Sequence, residues 1–182
     1  MPEAIDFRLI RERFLAFHGA AITPGFDTYM RHGCTQTTGA ALGYRRAGSE
    51  LLNLECYLDA SIEQVVSDAF GSWIERKDII EIGNLASENA FAMVQLWGAV
   101  ANDLCSGSEI AVATLTAPMR RMFARIGVEL IELSPARPEQ MAAAADWGRY
   151  YDSDPIVCAG FVAQGQRAIS AFLSRRIRSH AA

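Results

Sequence analysis

The 182-residue sequence has no apolar run long enough to cross a membrane. Its longest candidate, residues 86–104, is broken by Glu88, Asn89, Gln95, Asn102 and Asp103, whereas a spanning helix needs about 20 predominantly apolar residues. The opening MPEAIDFRLIRERF puts acids and arginines where a secretory leader needs an unbroken apolar stretch, so the expected location is cytoplasmic. Cysteine is scarce as well. Cys34, Cys56, Cys105 and Cys158 form none of the close CxxC pairs typical of zinc and redox sites. Cys56, Cys105 and Cys158 have apolar neighbours in the chain and are expected to be buried thiols. His18, His32 and His180 share no helical or strand spacing, so no metal site is expected. A formal net charge of −4 gives no global attraction to nucleic acid or anionic membranes. Neither a GxxxxGK phosphate loop nor a Ser-His-Asp or Cys-His arrangement can be picked out.

What is present suits one globular domain over residues 1–182. Apolar residues make up 51% of the chain and charged residues 21%, enough of the former for one good core. Ile5, Leu9, Ile10, Phe14 and Phe17 recur at helical spacing, predicting an amphipathic first helix. Residues 20–38, rich in Gly and Thr, read as an irregular loop. Residues 40–46 and 51–57 read as two strands of a hairpin turned at 47–49. A helix capped by Asp59 or Ser61 is expected to end at Gly71. The isoleucine-rich segment 78–84 reads as a central strand, followed by a helix over 88–105 with Ser87 as its cap. Further strands are expected at 110–115, 128–133 and 156–162, with helices at 118–126, near 138–145 and at the basic C-terminus. This order predicts an α/β domain whose mixed sheet begins antiparallel and becomes crossover-linked.

Five strings carry a resemblance: AALGYRRA (40–47), LECYLDASIEQ (54–64), IIEIGNLAS (79–87), ATLTAPMRRMFARIGVELIEL (113–133) and WGRYYDSDPIVCAG (147–160). In this order and spacing they resemble the thermostable hemolysin family over about residues 40–160. That family's layout is in turn similar to the GNAT superfamily of N-acyltransferases, especially the acyl-homoserine-lactone synthases. The resemblance implies a GNAT-like mixed sheet flanked by helices. It also implies acyl transfer from a phosphopantetheine thioester, either acyl carrier protein or coenzyme A, to a small-molecule amine. No permanently bound cofactor is expected.

Such chemistry asks for a base, an acid, an oxyanion donor and a phosphate site. Glu81, flanked by Ile80 and Ile82, is the first choice of base because burial would raise its pKa; a purely structural tie to a nearby Arg or to loop amides is the equal alternative. Tyr150 or Tyr151 would protonate the leaving thiolate, with packing as the commoner role of buried Tyr. Ile82, Gly83, Asn84, Leu85 and Ser87 would line the pantetheine, Gly83 marking a bulge or close backbone approach and Asn84 more often bonding its own backbone. Trp147 and Arg149 are candidate substrate contacts. Arg121 and Arg125 share a helix face at i, i+4, suited to a carboxylate or a carrier protein but more often merely solvated. The helix start reads SENAFAMVQ (87–95), without the Gly-x-Gly/Ala pattern that GNAT enzymes use for the phosphates. Two other classes stay open: a membrane-active haemolytic effector, and a non-catalytic binding domain on the same fold.

Overall fold

The computed structural model describes residues 7–34, 37–104 and 107–180. Ile5 and Cys105, both named above, lie outside them. Eleven regular elements follow in order: α1 (Arg8–His18), β1 (Thr28–Cys34), β2 (Thr37–Arg46), α2 (Ile62–Phe70), β3 (Ile79–Ser87), α3 (Ala90–Leu104), β4 (Ile110–Leu115), α4 (Ala117–Ile126), β5 (Ile131–Pro135), β6 (Ile156–Phe161) and α5 (Val162–His180). The strands form one sheet in the order β1-β2-β3-β4-β6-β5. All neighbours are antiparallel except β3 and β4, which run parallel and are joined through α3. The mixed α/β sheet expected from the sequence is therefore present.

Ile79 to Ile82 of β3 are all buried, and alternate residues face opposite sides of the sheet. Ile80 and Ile82 face α3, α4 and α5, meeting Met93, Leu96 and Trp97, Phe123 and Ile169. On the opposite face Ile79 packs with Ile62 and Val66 of α2, while Ala41 and Ala86 pack with Ile10 and Phe14 of α1. Helix ends follow the glycines. Gly19, Gly71 and Gly127 each close a helix in the left-handed conformation, which glycine adopts without the Cβ penalty.

Several expectations are corrected. Residues 20–38 are not all loop, because β1 forms at the edge of the sheet; backbone pairing to β2 holds it where its sequence shows no apolar alternation. Residues 51–57 are not a strand. They form a 3₁₀ turn at Asn53–Tyr57, and β2 is flanked on both sides by β1 and β3, so no hairpin partner at 51–57 is needed. Helix α3 starts at Ala90 and is capped by Asn89, whose Oδ1 accepts the Ala92 N–H at 2.9 Å, while Ser87 still belongs to β3. Strand β5 begins only at Ile131, since Val128 and Leu130 turn inward onto the helical core. Near 138–145 there are short 3₁₀ turns rather than a helix. Cys158 is buried as expected, and burial pushes its thiol up to about 12. Cys56 is exposed, because the 3₁₀ turn directs Leu54 and Tyr57 inward instead.

The turn at 53–57 is secured by a buried carboxylate. Glu55 accepts the Leu52 N–H at 2.6 Å and the Ile62 N–H at 3.0 Å. Arg76 grips it bidentately at 2.7 and 2.9 Å and also donates to the carbonyls of Gly48 and Glu50. Burial by itself would raise the Glu55 pKa. The hydrogen bonds from Arg76, Ile62 and Leu52 outweigh it and hold the pKa below its ordinary value. A carboxylate with a depressed folded pKa stabilises the fold above its unfolded pKa and stops doing so as pH falls through the folded one. Glu55→Gln is therefore expected to cost about 2–3 kcal/mol at neutral pH. In urea unfolding across pH, the gap between wild type and variant should close in acid; a gap that stays constant would show that the charge is not its source.

Candidate active site

Strands β3 and β4 pair for only four rungs, from Ile79↔Ile110 to Ile82↔Ala113. Beyond that point β3 continues to Ser87 alongside β2, while β4 continues to Leu115 alongside β6. The sheet thus opens in its middle. The cause lies in the β2–β3 ladder, where Ala41 pairs with Ala86 and Gly43 with Gly83, leaving Leu42 opposite both Asn84 and Leu85. That extra residue is a β-bulge, which bends and twists its strand. Asn84 carries the positive φ of 51°, a conformation Asn tolerates better than most residues. Its side chain does not bond its own backbone as expected. Asn84 Nδ2 donates to the Tyr29 hydroxyl at 2.8 Å, and that hydroxyl also accepts the Phe26 N–H at 3.1 Å.

Gly83 is a place of close approach. A Cβ there would sit 2.5 Å from Phe26 Cζ, and one on its partner Gly43 would sit 2.7 Å from Phe26 Cβ. The two glycines make a flat seat for the Phe26 ring, which also lies under the Arg45 guanidinium at 5.0 Å.

Glu81 lies on β3 directly opposite Arg45 and is 3% exposed. Its carboxylate accepts the Leu54 N–H at 2.9 Å on one oxygen and the Asn53 N–H at 3.1 Å on the other. Arg45 Nε lies 3.5 Å away and makes no hydrogen bond. Burial raises the Glu81 pKa, and the two amides and Arg45 only partly oppose it, so the net direction is upward. Both features weighed from the sequence, the structural tie and the raised pKa, therefore coexist in one group.

A cavity of about 1280 Å³ runs through the opening between β3 and β4. It brings together Glu81, Ile82, Gly83, Asn84, Leu85, Ser87, Arg121, Trp147 and Tyr150. Tyr150 is buried, and its hydroxyl donates to the Thr114 carbonyl at 3.3 Å, on the stretch of β4 that no longer pairs with β3. Burial, with Tyr151 and Cys158 nearby, raises its pKa and keeps the phenol protonated. Arg149 and Tyr151 are not part of the wall. Tyr151 is turned to the Tyr57 hydroxyl, 2.9 Å away. Arg149 is exposed, because Gly148 turns the chain there with φ of 53° so tightly that a Cβ would meet His18 O. The Arg149 N–H bonds that same carbonyl at 2.7 Å. His18 also faces the cavity, its pKa lowered by burial and then by Arg149.

The sequence reading missed Phe26, Cys56, Tyr57, Met119 and Met122 in this wall. The Gly43/Gly83 pair was the one available signal for an aromatic seated on the strands. Among the described residues no group of three or more His, Cys, Asp or Glu is placed to hold a metal, and no helix is long and apolar enough to cross a membrane.

The thermostable hemolysin family profile matches residues 4–166, reaching well beyond the 40–160 expected from the motifs. No curated protein matches the sequence. Solved structures with the same fold include FeeM, an N-acyl amino acid synthase from uncultured soil microbes, at TM-score 0.60 and 12% identity, covering 88% of this chain and 91% of that one. The CoA-dependent acyl-homoserine lactone synthase BjaI, solved with SAM and isopentyl-CoA, aligns at TM-score 0.60 and 12% identity, covering 93% and 79%. The acyl-homoserine lactone synthase LasI aligns at TM-score 0.56 and 12% identity, covering 92% and 90%. The GNAT-like architecture expected from the sequence is the fold these proteins share with the chain.

The Phe26 seat gives a direct test. Gly83→Ala is expected to cost about 1–3 kcal/mol through overpacking. Combined with Phe26→Ala, the same change should cost much less, giving a large coupling in a double-mutant cycle from urea unfolding. Additive losses would show that the Phe26 contact does not set the cost at Gly83.

Proposed function

The chain belongs to the thermostable hemolysin family, and we propose that it transfers an acyl group from a phosphopantetheine thioester to a small-molecule amine. One observation carries this reading. The sheet parts at the place where a buried carboxylate and a buried phenol both face a cavity larger than most small-molecule sites, which run about 300–1,000 Å³. Such a gap accepts an extended thioester alongside β3, where strand backbone can hydrogen-bond it.

In the proposed reaction the amine nitrogen attacks the thioester carbonyl. A C–N bond forms as the C–S bond breaks, and a backbone N–H of the bulged segment 82–85 holds the oxyanion in between. Glu81 takes the proton released from the amine. Tyr150 gives its phenolic proton to the departing thiolate, exchanging its long bond to Thr114 for the new contact. Tyr151 has no direct part, because it packs against Tyr57 outside the cavity wall. Most of the acceleration in this scheme comes from holding two substrates in one gap. The acyl carrier protein and coenzyme A thioesters it requires are made in the cytoplasm, where this reading locates the protein.

Glu81 has two jobs under this reading, so its variant has two readouts. Glu81→Gln replaces one acceptor oxygen with an NH₂ facing a backbone N–H. A stability loss of about 1–3 kcal/mol is expected in thermal unfolding, with the fold retained. Turnover should fall by about 10²-fold or more. For wild type, kcat/KM should climb with pH through a value above the ordinary carboxylate range, and that limb should vanish in the variant. Full activity with an unchanged pH profile would remove Glu81 from the mechanism. If purified protein leaks vesicles with no acyl donor present and acylates no amine, the effector reading replaces this one.

A further inference from the structure

We propose that Arg121 and Arg125 of α4, together with Arg176 of α5, form the subsite for the phosphate of the donor's pantetheine arm. This inference rests on the acyl-transfer reading for the identity of the donor, and its physical basis is separate. The usual place for such a phosphate on this fold is the N-terminus of the helix after the central strand, where free N–H groups favour anions. In this chain that end is poorly suited. Glu88 puts a negative charge on the cavity wall there, and its own N–H is already given to the Gly39 carbonyl at 2.8 Å. The Ala92 N–H is taken by the Asn89 cap.

Positive charge reaches the same cavity from other helices: from α1 through Arg13, which lies over the Phe17 ring, and from α4 and α5. Arg121 and Arg125 stand one turn apart on α4, and both are exposed and line the cavity. Among the described residues neither makes a hydrogen bond or ion pair. Their neighbour Arg120 is the opposite case, bound to the carbonyls of Leu115 and Asp154 and to the carboxylates of Asp154 and Glu132. Arg176 arrives from the last helix, its guanidinium 4.7 Å over the ring of Phe91, which lies in the first turn of α3. In a chain of net charge −4, these three arginines on the wall of one cavity are not a reflection of a generally basic surface. The same cavity wall is apolar at Met119, Met122 and Phe172. A cationic rim beside an apolar wall suits a ligand whose phosphate stays outside while its thioester and acyl chain go in. Guanidinium groups match phosphate oxygens through paired N–H donors.

The test uses calorimetric binding of 4′-phosphopantetheine and of pantetheine, which differ only in the phosphate. Wild type is expected to bind the phosphorylated form more tightly. Arg121→Ala/Arg125→Ala and Arg176→Ala should each weaken it by about tenfold or more while leaving pantetheine unchanged. Arg175→Ala, on the same helix but outside the cavity wall, should change neither. Equal binding of the two ligands by wild type, equal weakening of both in the variants, or no detectable binding of phosphopantetheine would each overturn the proposal. Kinetics then separate donors: KM should rise in the variants for both acyl-coenzyme A and acyl carrier protein. A rise confined to the carrier protein, with phosphopantetheine binding intact, would make these arginines a protein contact and refute the subsite. Binding through the arginines without acylation of any amine would keep the subsite and refute acyl transfer. Turnover that is indifferent to the arginines would do the reverse.

Discussion

The site depends on β3 leaving β4 after four rungs of parallel pairing. A continuous sheet would have no opening beside Glu81 and Tyr150. The divergence traces to one extra residue in β3, where Asn84 and Leu85 together oppose Leu42. The bulge is held by Asn84 in a left-handed conformation, by its bond to Tyr29, and by the Phe26 ring pressed onto Gly43 and Gly83. The last two supports come from β1 and the residues leading into it. The edge strand that looks least structured in the sequence thus holds the central strand in its bent course.

Two buried carboxylates divide the work beneath this opening. Glu55 is saturated by Arg76 and two backbone amides, its pKa falls, and it serves to fix the turn at 53–57. Glu81 receives the amides of that same turn but only a loose approach from Arg45, so burial prevails and its pKa rises. The contrast is one of compensation. A buried carboxylate with a bidentate guanidinium stays ionised at low cost, and one without it is poised to accept a proton. The turn that Glu55 anchors is what delivers Asn53 and Leu54 to Glu81. Glu55 thus bears on the surroundings of Glu81 through backbone N–H groups.

Much of this was legible in the chain. Apolar runs and glycine stops located α2, β4, α4 and β6 to within a residue or two, because each is a short apolar or periodic run bounded by turn residues. Glu81 stood out as a carboxylate within an isoleucine-rich strand, and Gly83 as a glycine where a strand should have a side chain. β1 and the turn at 53–57 were not legible. An edge strand is held by a neighbour's backbone, and a 3₁₀ turn whose amides bind a carboxylate 27 residues away leaves no local trace. Tyr150 and Tyr151 could not be told apart either, since adjacent residues of equal chemistry are sorted only by which way the turn at Gly148 sends them.

The sequence by itself determined the fold class, the central strand, the carboxylate at its middle and the departure at SENAFAMVQ from the pattern that binds phosphate at a helix start. These are properties of residue type and short-range spacing. Only the tertiary structure decided that the strands part after Ile82, that Phe26 sits on the paired glycines, and that Arg121, Arg125 and Arg176 line one cavity. Each depends on strand register or on helices far apart in the chain packing around one gap. That information is carried by cross-strand pairing and burial, and no local window of residues contains it.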